Sequence, residues 1–168
     1  MNGDYGVVPS TANSRHSAHG IVLDDIAKRI IEELQADGRR SYAAIAKTVG
    51  LSEAAVRQRI QRLLDAGVMQ IVAVTNPLTL GFQRQAMIGV RADGDLRDVA
   101  DRLGALDDVD YVVVTAGSFD ILVELVAEDD EHLLRVLNEQ IRKVPGVRDT
   151  ETFVYLRLTK QTYSWGTR

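Results

Sequence analysis

Three short amphipathic patterns, each followed by a glycine, constrain the first half of this chain most strongly. The first places apolar residues at helical spacing: Leu23, Ile26, Ala27, Ile30, Ile31 and Leu34. Gly38 is expected just after that helix, and Ser41 is expected to cap a second helix that ends at Gly50. Ser52 is expected to cap a third helix that runs to Ala66. Two short helices joined by a glycine-containing turn have helix-turn-helix spacing.

The third helix has two faces of different chemistry. At about 100° per residue, Val56, Ile60 and Leu63 form its buried stripe, and Arg59 lies at the border of the core. The opposite face presents small, amide and guanidinium side chains: Ala54, Arg57, Gln58 and Gln61, with Arg62 at its edge. In a major groove, arginine can donate twice to guanine, glutamine can pair with adenine, and alanine permits close approach.

Two kinds of DNA contact are expected from these residues. Arg57 and Gln58 are predicted to read bases, whereas Arg59 and Arg62 suit phosphates, which position a protein without specifying sequence. Backbone N–H groups at the Ser52 cap are also available to a phosphate. The alternative is an ordinary amphipathic helix in which exposed Arg and Gln are only good helix formers. The capped preceding helix and its glycine turn favour DNA binding.

The sequence after the third helix predicts a second fold. Residues 68–74 are β-branched and predict a strand, which makes the first domain a winged helix-turn-helix. In the second half, strands are predicted at 86–91, 111–115, 121–127 and 150–158, and helices at 96–103 and 133–144. This βαββαβ order is typical of a ferredoxin-like domain, so the predicted fold class is α+β.

These patterns divide the chain into five parts. We expect a mobile tail at 1–19, a helix-turn-helix domain at 20–75, a linker at 76–84, a ferredoxin-like domain at 85–160 and a C-terminal tail at 161–168. Residues 20–80 hold eight Lys and Arg against seven Asp and Glu, whereas residues 84–160 hold ten against sixteen. This asymmetry indicates two modules with different partners.

Composition excludes several classes of protein. The chain has no cysteine, which excludes a disulfide framework, a thiol nucleophile and a thiolate metal site. No apolar run approaches the ~20 residues of a membrane span, and no secretory pattern opens the chain, so we expect a cytoplasmic protein. His16 and His19 lie in the tail, and His132 follows acids that the dipole of a predicted helix explains. We therefore expect no catalytic site, no metal and no cofactor.

Several of these stretches resemble the Lrp/AsnC, or feast/famine, family of transcriptional regulators. The similar stretches are Leu23-Asp24-Asp25-Ile26, Gly50-Leu51-Ser52, Val56-x-x-Arg59-Ile60-x-x-Leu63, Gly67-Val68-Met69 and Asn76-Pro77 with Leu80-Gly81. In the second half, Thr115-Ala116-Gly117-Ser118-Phe119-Asp120 resembles the family's G-x-x-D element, with Phe where Tyr is common. Ala27 departs from the family, which commonly has an acidic residue there.

The resemblance implies a DNA-binding regulator that responds to a small effector, usually an amino acid. Members of the family pair through the second domain into dimers, which commonly assemble into octameric rings. Their effectors bind where the second domains of neighbouring dimers meet. The partners implied for this chain are double-stranded DNA, an amino-acid effector and further copies of itself.

The loop at 115–120 is the expected effector site. Gly117 permits a positive φ, and N–H groups around Gly117, Ser118 and Phe119 can receive a carboxylate. Asp120 can accept an ammonium group, and the resemblance includes Thr115. Hydroxyl groups from the same or a neighbouring subunit are expected from the last strand, at Thr150 and Thr152. The alternatives are a plain tight hairpin and two ordinary β-branched strand residues.

Two other functions remain open from the sequence. Sirohaem decarboxylases resemble this family in both domains, but they need a haem-like cofactor pocket with His and Arg. The only histidine of the second domain lies on a polar helix, which disfavours that enzyme. The other alternative is an amino-acid sensor that does not bind DNA, and the capped third helix with Arg57 and Gln58 argues against it.

Overall fold

The computed structural model of the protein describes residues 23–162 and 166–167. They fall into two compact units, of which the first runs through Ala73 and includes the residues from Lys160 onward, and the second is Val74–Thr159. The tail predicted at 1–19 lies outside the described residues. Within the described residues, no helix is both long enough and apolar enough to cross a membrane.

Three α-helices make up the first unit: α1 (Asp25–Ala36), α2 (Tyr42–Val49) and α3 (Glu53–Asp65). Each begins at a side-chain cap, since Asp24, Ser41 and Ser52 accept hydrogen bonds from the backbone N–H three residues further on. Apolar side chains from all three helices form one buried core: Ile30, Leu34, Ile45, Ala46, Val56 and Ile60. The predicted helix-turn-helix and the buried stripe of its third helix are confirmed.

The glycines that follow α1 and α2 differ in backbone conformation. Gly50 has φ 72° and ψ 33°, the left-handed region, and it turns the chain from α2 towards α3. Gly38 follows the C-cap residue Asp37 and does not have a positive φ. Only the second of these two helix ends therefore depends on the conformational freedom of glycine.

We expect Gly50→Ala to lower the free energy of unfolding of the first unit by about 1–2 kcal/mol, the cost of left-handed backbone for an L-residue. No atom of a described residue lies within 4 Å of a Cβ added at Gly50, so the effect comes from the backbone alone. Gly38→Ala is the matched control, because its added Cβ meets only the Leu34 carbonyl oxygen, at 3.8 Å. Urea unfolding followed by circular dichroism measures both variants, and equal losses would contradict the expectation.

The strand predicted at 68–74 is wrong. The segment that follows α3 forms no strand, and its apolar side chains are largely exposed, with Val72 at 61% and Val74 at 57%. β-Branched residues favour a strand only where a neighbouring strand pairs with them, and none does so here among the described residues. The described part of the first unit is therefore a helix-turn-helix without a wing.

The second unit is a four-stranded antiparallel sheet with helices on one face. Its elements are β1 (Arg84–Ala92), α4 (Leu96–Gly104), β2 (Val109–Val114), β3 (Ile121–Ala127), α5 (Asp130–Arg135) and β4 (Val147–Val154). The strand order is β2-β3-β1-β4, which confirms the predicted ferredoxin-like βαββαβ arrangement. The second predicted helix is less regular than expected, since α5 continues into a π-helical turn at Val136–Gln140 and a 3-10 turn at Ile141–Lys143.

The two faces of this sheet have different surroundings. Ile88 of β1 lies opposite Val123 and Thr152, and residues opposite one another in an antiparallel sheet share a face. That face is packed against the helices through a buried core that includes Val90, Val99, Leu103, Ile121, Leu125, Val136 and Ile141. The other face, called the open face below, carries Met87, Gly89 and Arg91 of β1 with Asp149, Glu151 and Phe153 of β4.

Candidate functional site

The exposed face of α3 carries most of the residues predicted to contact DNA. Ala54, Arg57, Gln58, Gln61 and Arg62 are exposed, as is the cap residue Ser52, whereas Arg59 is half-buried. The opposite side of the helix is fixed by the buried residues Val56, Ile60 and Leu63. The structure therefore brings six of the seven predicted residues to one exposed side and sets Arg59 apart.

Arg59 is joined to the N-terminal cap of α1. Its Nη1 donates to Oδ2 of Asp24 at 2.7 Å, while Oδ1 of Asp24 accepts from the backbone N–H of Ala27 at 2.7 Å. The Ala27 N–H, and after it the Arg59 guanidinium, lower the pKa of the Asp24 carboxyl. A phosphate would have to compete with this ion pair for Arg59. Helical periodicity could not reveal the pair, because the two residues are distant in sequence and belong to different helices.

Arg57 is held from two sides while remaining accessible. Its Nη2 donates to Oε1 of Glu53 at 3.1 Å, one helical turn earlier. Its guanidinium carbon lies 5.0 Å from the centroid of the Tyr42 ring, at the start of α2. The Arg57 side chain is still 64% exposed. The spacing of Glu53 and Arg57 is visible in the sequence, whereas the contact with Tyr42 appears only when the helices pack.

The predicted effector loop, residues 115–120 between β2 and β3, is closed by hydrogen bonds at its ends. The backbone N–H of Thr115 donates to the Asp120 carbonyl at 2.8 Å, and Oγ1 of Thr115 donates to the Phe119 carbonyl at 2.6 Å. Asp120 also ties the loop to β1, since its N–H donates to the Val90 carbonyl and its Oδ2 accepts from the Ala92 N–H, both at 2.9 Å. Asp120 thus has a structural role of its own.

The tip of this loop leaves backbone donors available. The N–H groups of residues 116–119 donate to no other described residue, and Gly117 and Ser118 are exposed. The expectation that Gly117 serves a positive φ is wrong, because its φ is outside that region. A Cβ added at Gly117 would meet no atom of residues 23–162 or 166–167 within 4 Å, so the glycine leaves the loop tip open and is not needed for a strained backbone. Together with Oδ1 of Asp120, these N–H groups can satisfy a carboxylate and an ammonium.

Phe119 anchors the loop on the open face of the sheet. Its ring covers Gly89, where an added Cβ would come within 2.6–2.7 Å of three ring carbons. The guanidinium carbon of Arg91 lies 4.6 Å from the Phe119 centroid, and the Phe153 ring packs edge-on at 5.9 Å. A glycine inside a predicted strand is a signal for close approach, but the sequence does not say which residue approaches.

Thr150 and Thr152 lie on the opposite face of the sheet from Phe119. They pair with Val90 and Ile88, whose side chains are buried beneath the helices. Oγ1 of Thr150 accepts a hydrogen bond from Nε of Arg142 at 2.9 Å. Within one chain, the structure does not bring these two hydroxyl groups to the same face as the Phe119 ring.

His132, Asp129 and Asp130 have partners within the second unit. Nε2 of His132 lies 3.1 Å from Oδ1 of Asp108, and Oδ2 of Asp108 accepts from Gln140 at 2.6 Å. Asp129 caps α5, and the Arg84 guanidinium beside Asp130 lowers the pKa of that carboxyl. Across residues 23–162 and 166–167, no group of three or more His, Asp or Glu side chains is placed to hold a metal ion.

We expect Gly89→Ala to displace the Phe119 ring and to lower the free energy of unfolding by about 1–3 kcal/mol, as overpacking does. Phe119→Ala removes the ring that the new methyl group would strike, so adding Gly89→Ala to that variant should cost much less. Chemical denaturation of the wild type, both single variants and the double variant measures the coupling. Additive losses of unfolding free energy would contradict the contact.

Comparison with protein families assigns both units. Residues 23–64 match the AsnC-type helix-turn-helix domain, and residues 82–168 match the C-terminal dimeric alpha+beta barrel domain of AsnC-type regulators. The chain belongs to the Lrp/AsnC family. It is a transcriptional regulator with a helix-turn-helix domain and an AsnC-type ligand-binding domain, as the resemblance in its sequence predicts.

Relatives of known name and solved structures match more than four fifths of this chain. The HTH-type transcriptional regulator FL11 of Pyrococcus furiosus is 35% identical over 84% of this chain and 94% of its own. The proline dehydrogenase transcriptional activator of Rhizobium radiobacter is 34% identical over 83% of this chain and 93% of its own. Among solved structures, the feast or famine regulatory protein of M. tuberculosis complexed with L-methionine has a TM-score of 0.76 and 27% identity, and the match covers 87% of this chain and 100% of that one.

Proposed function

We propose that this Lrp/AsnC regulator recognises specific sites on double-stranded DNA through α3, and that an amino acid bound at the loop 115–120 modulates this recognition. The main evidence for DNA recognition is the chemistry of the exposed face of α3. Guanidinium and amide groups stand opposite its buried stripe, where a major groove can receive them.

The contacts of these side chains suggest different roles on DNA. Arg57 and Gln58 are exposed near the start of α3 and suit base edges, while Ala54 permits close approach. Arg62 makes no ion pair with a described residue, which leaves its charge available to a phosphate. We propose that Arg59 contributes less than Arg62 to phosphate binding, because Asp24 already binds the Arg59 guanidinium.

We expect Arg57→Ala to reduce the preference for a selected DNA site over a scrambled duplex by about tenfold, because a bidentate base contact is lost. Arg62→Ala should weaken both duplexes alike and lower the slope of affinity against salt by about one. Arg29→Ala removes the same charge from an exposed position on α1 and is the control. Fluorescence anisotropy on sites enriched from randomised duplexes measures all three.

Equal discrimination by the wild type and Arg57→Ala would contradict the base-reading role. Failure of the wild type to enrich any site would contradict sequence-specific binding and would favour a sensor that does not bind DNA.

The amino-acid effector is proposed from the chemistry of the loop tip. The N–H groups of residues 116–119, which have no acceptor in the part of the chain that the structure describes, suit a carboxylate, and Oδ1 of Asp120 suits an ammonium group. Two similar solved structures support this class of ligand: the feast or famine regulatory protein of M. tuberculosis is complexed with L-methionine, and a transcriptional regulator of Neisseria meningitidis is an L-Met complex. We propose that Thr150 and Thr152 contribute from a neighbouring subunit, because within one chain they lie on the opposite face of the sheet from Phe119.

We expect Asp120→Asn to weaken the amino acid that the wild type binds by about tenfold or more, because a charge-assisted hydrogen bond is lost. The amide oxygen can still accept from the Ala92 N–H, so the loop should keep its closure. Asp107→Asn makes the same change at an exposed position in the second unit and is the control. Calorimetry across the common amino acids measures binding, and unchanged affinity in folded Asp120→Asn would contradict the assigned contact.

Self-association is proposed through the open face of the sheet. Tyr111 belongs to that face because it lies opposite Glu124, which lies opposite Met87. Tyr111 is 50% exposed and Phe153 is 44% exposed, and the matching family domain is described as dimeric. The region of the helix-turn-helix has little net positive charge, so strong DNA binding requires several half-sites held together. We propose a homodimer that assembles further, with an octamer as the expected state.

A further inference from the structure

Tyr42 lies at the first position of α2, beside the exposed face of α3. We propose that Tyr42 is a positioning residue that sets the preference of Arg57 for guanine. This inference rests on the proposed DNA recognition by α3. It adds that the base read by Arg57 is guanine and that Tyr42 orients Arg57 for this contact.

The Tyr42 ring is held by packing against the core of the first unit. It is half-buried, and this core holds α2 against α3. The guanidinium carbon of Arg57 lies 5.0 Å from its centroid, within the range of a cation–π contact. The guanidinium is therefore next to an aromatic ring that is itself packed against the core.

Glu53 restrains the same guanidinium at its edge. Nη2 of Arg57 donates to Oε1 of Glu53 at 3.1 Å, which leaves the second hydrogen of Nη2 and both hydrogens of Nη1 free. Two parallel donors on one planar group match the O6 and N7 acceptors of guanine. The two restraints therefore leave available the pair of donors that guanine requires.

Restraint before binding matters because an exposed arginine otherwise samples many rotamers. Ordering such a side chain on a base costs conformational entropy. A guanidinium that is already oriented loses less conformational entropy when it binds. Arg62 is also exposed on α3 but has neither a ring nor a carboxylate partner among the described residues. The restraint thus distinguishes a base-reading arginine from one suited to phosphate.

The test compares Tyr42→Leu, which keeps apolar packing but removes the ring face, with Tyr42→Phe, which keeps the ring. Sites are enriched from randomised duplexes with the full chain, and the base preferences of each variant are read by sequencing. At the position where Arg57→Ala abolishes the guanine preference, Tyr42→Leu should lower it by about two- to fivefold. Tyr42→Phe should retain the wild-type preference, and affinity for a scrambled duplex should be unchanged in both.

A measurement without DNA separates this inference from the proposed function. Relaxation of the Arg57 ¹⁵Nε in the free protein should show greater mobility in Tyr42→Leu and in Glu53→Gln, a surface variant, than in Tyr42→Phe. Unchanged mobility would overturn the inference even if DNA recognition by α3 holds. An unchanged guanine preference in Tyr42→Leu would also overturn it, as would an equal loss at every base position. Failure of the wild type to enrich any site would remove the proposed function and this inference with it.

Discussion

Burial of Val56, Ile60 and Leu63 is the constraint on which the DNA-binding half of this structure depends. A helix has one rotation about its axis once such a stripe is packed, so the same three side chains that close the core decide which residues face outwards. The caps at Ser41 and Ser52 then fix where α2 and α3 begin. Presentation of Arg57 and Gln58 is thus a consequence of core packing rather than of the surface residues themselves.

The register of β1 has the corresponding role in the second unit. It places Ile88 and Val90 beneath the helices and Gly89 and Arg91 on the open face. Phe119 can lie flat over Gly89 only because that position has no side chain. The loop 115–120 is therefore positioned by the absence of a side chain at Gly89. Its end is tied to β1 by one backbone hydrogen bond, from the Asp120 N–H to the Val90 carbonyl, and by one from the Ala92 N–H to the Asp120 carboxylate.

The sequence predicts local features of this protein well and contacts between elements poorly. Caps, the buried stripe of α3 and the βαββαβ order follow from periodicity and capping, which are local properties. The predicted strand at 68–74 failed because a strand requires a partner, which local composition cannot supply. The pair of Arg59 with Asp24, the ring of Tyr42 beside Arg57, and the side of the sheet on which Thr150 lies all depend on packing between distant segments.

The ion pair between Asp24 and Arg59 has a consequence for how such a regulator can diverge. Arg59 of α3 stabilises the three-helix unit through this ion pair. Gln58 and Arg62 make no hydrogen bond or ion pair through their side chains with a described residue. In the proposed recognition, a substitution at Gln58 changes the base contacts and a substitution at Arg62 changes affinity for all duplexes alike, and neither breaks the pair of Asp24 with Arg59. The side chains at Gln58 and Arg62 can therefore vary while the pair of Asp24 with Arg59 keeps α3 joined to the cap of α1.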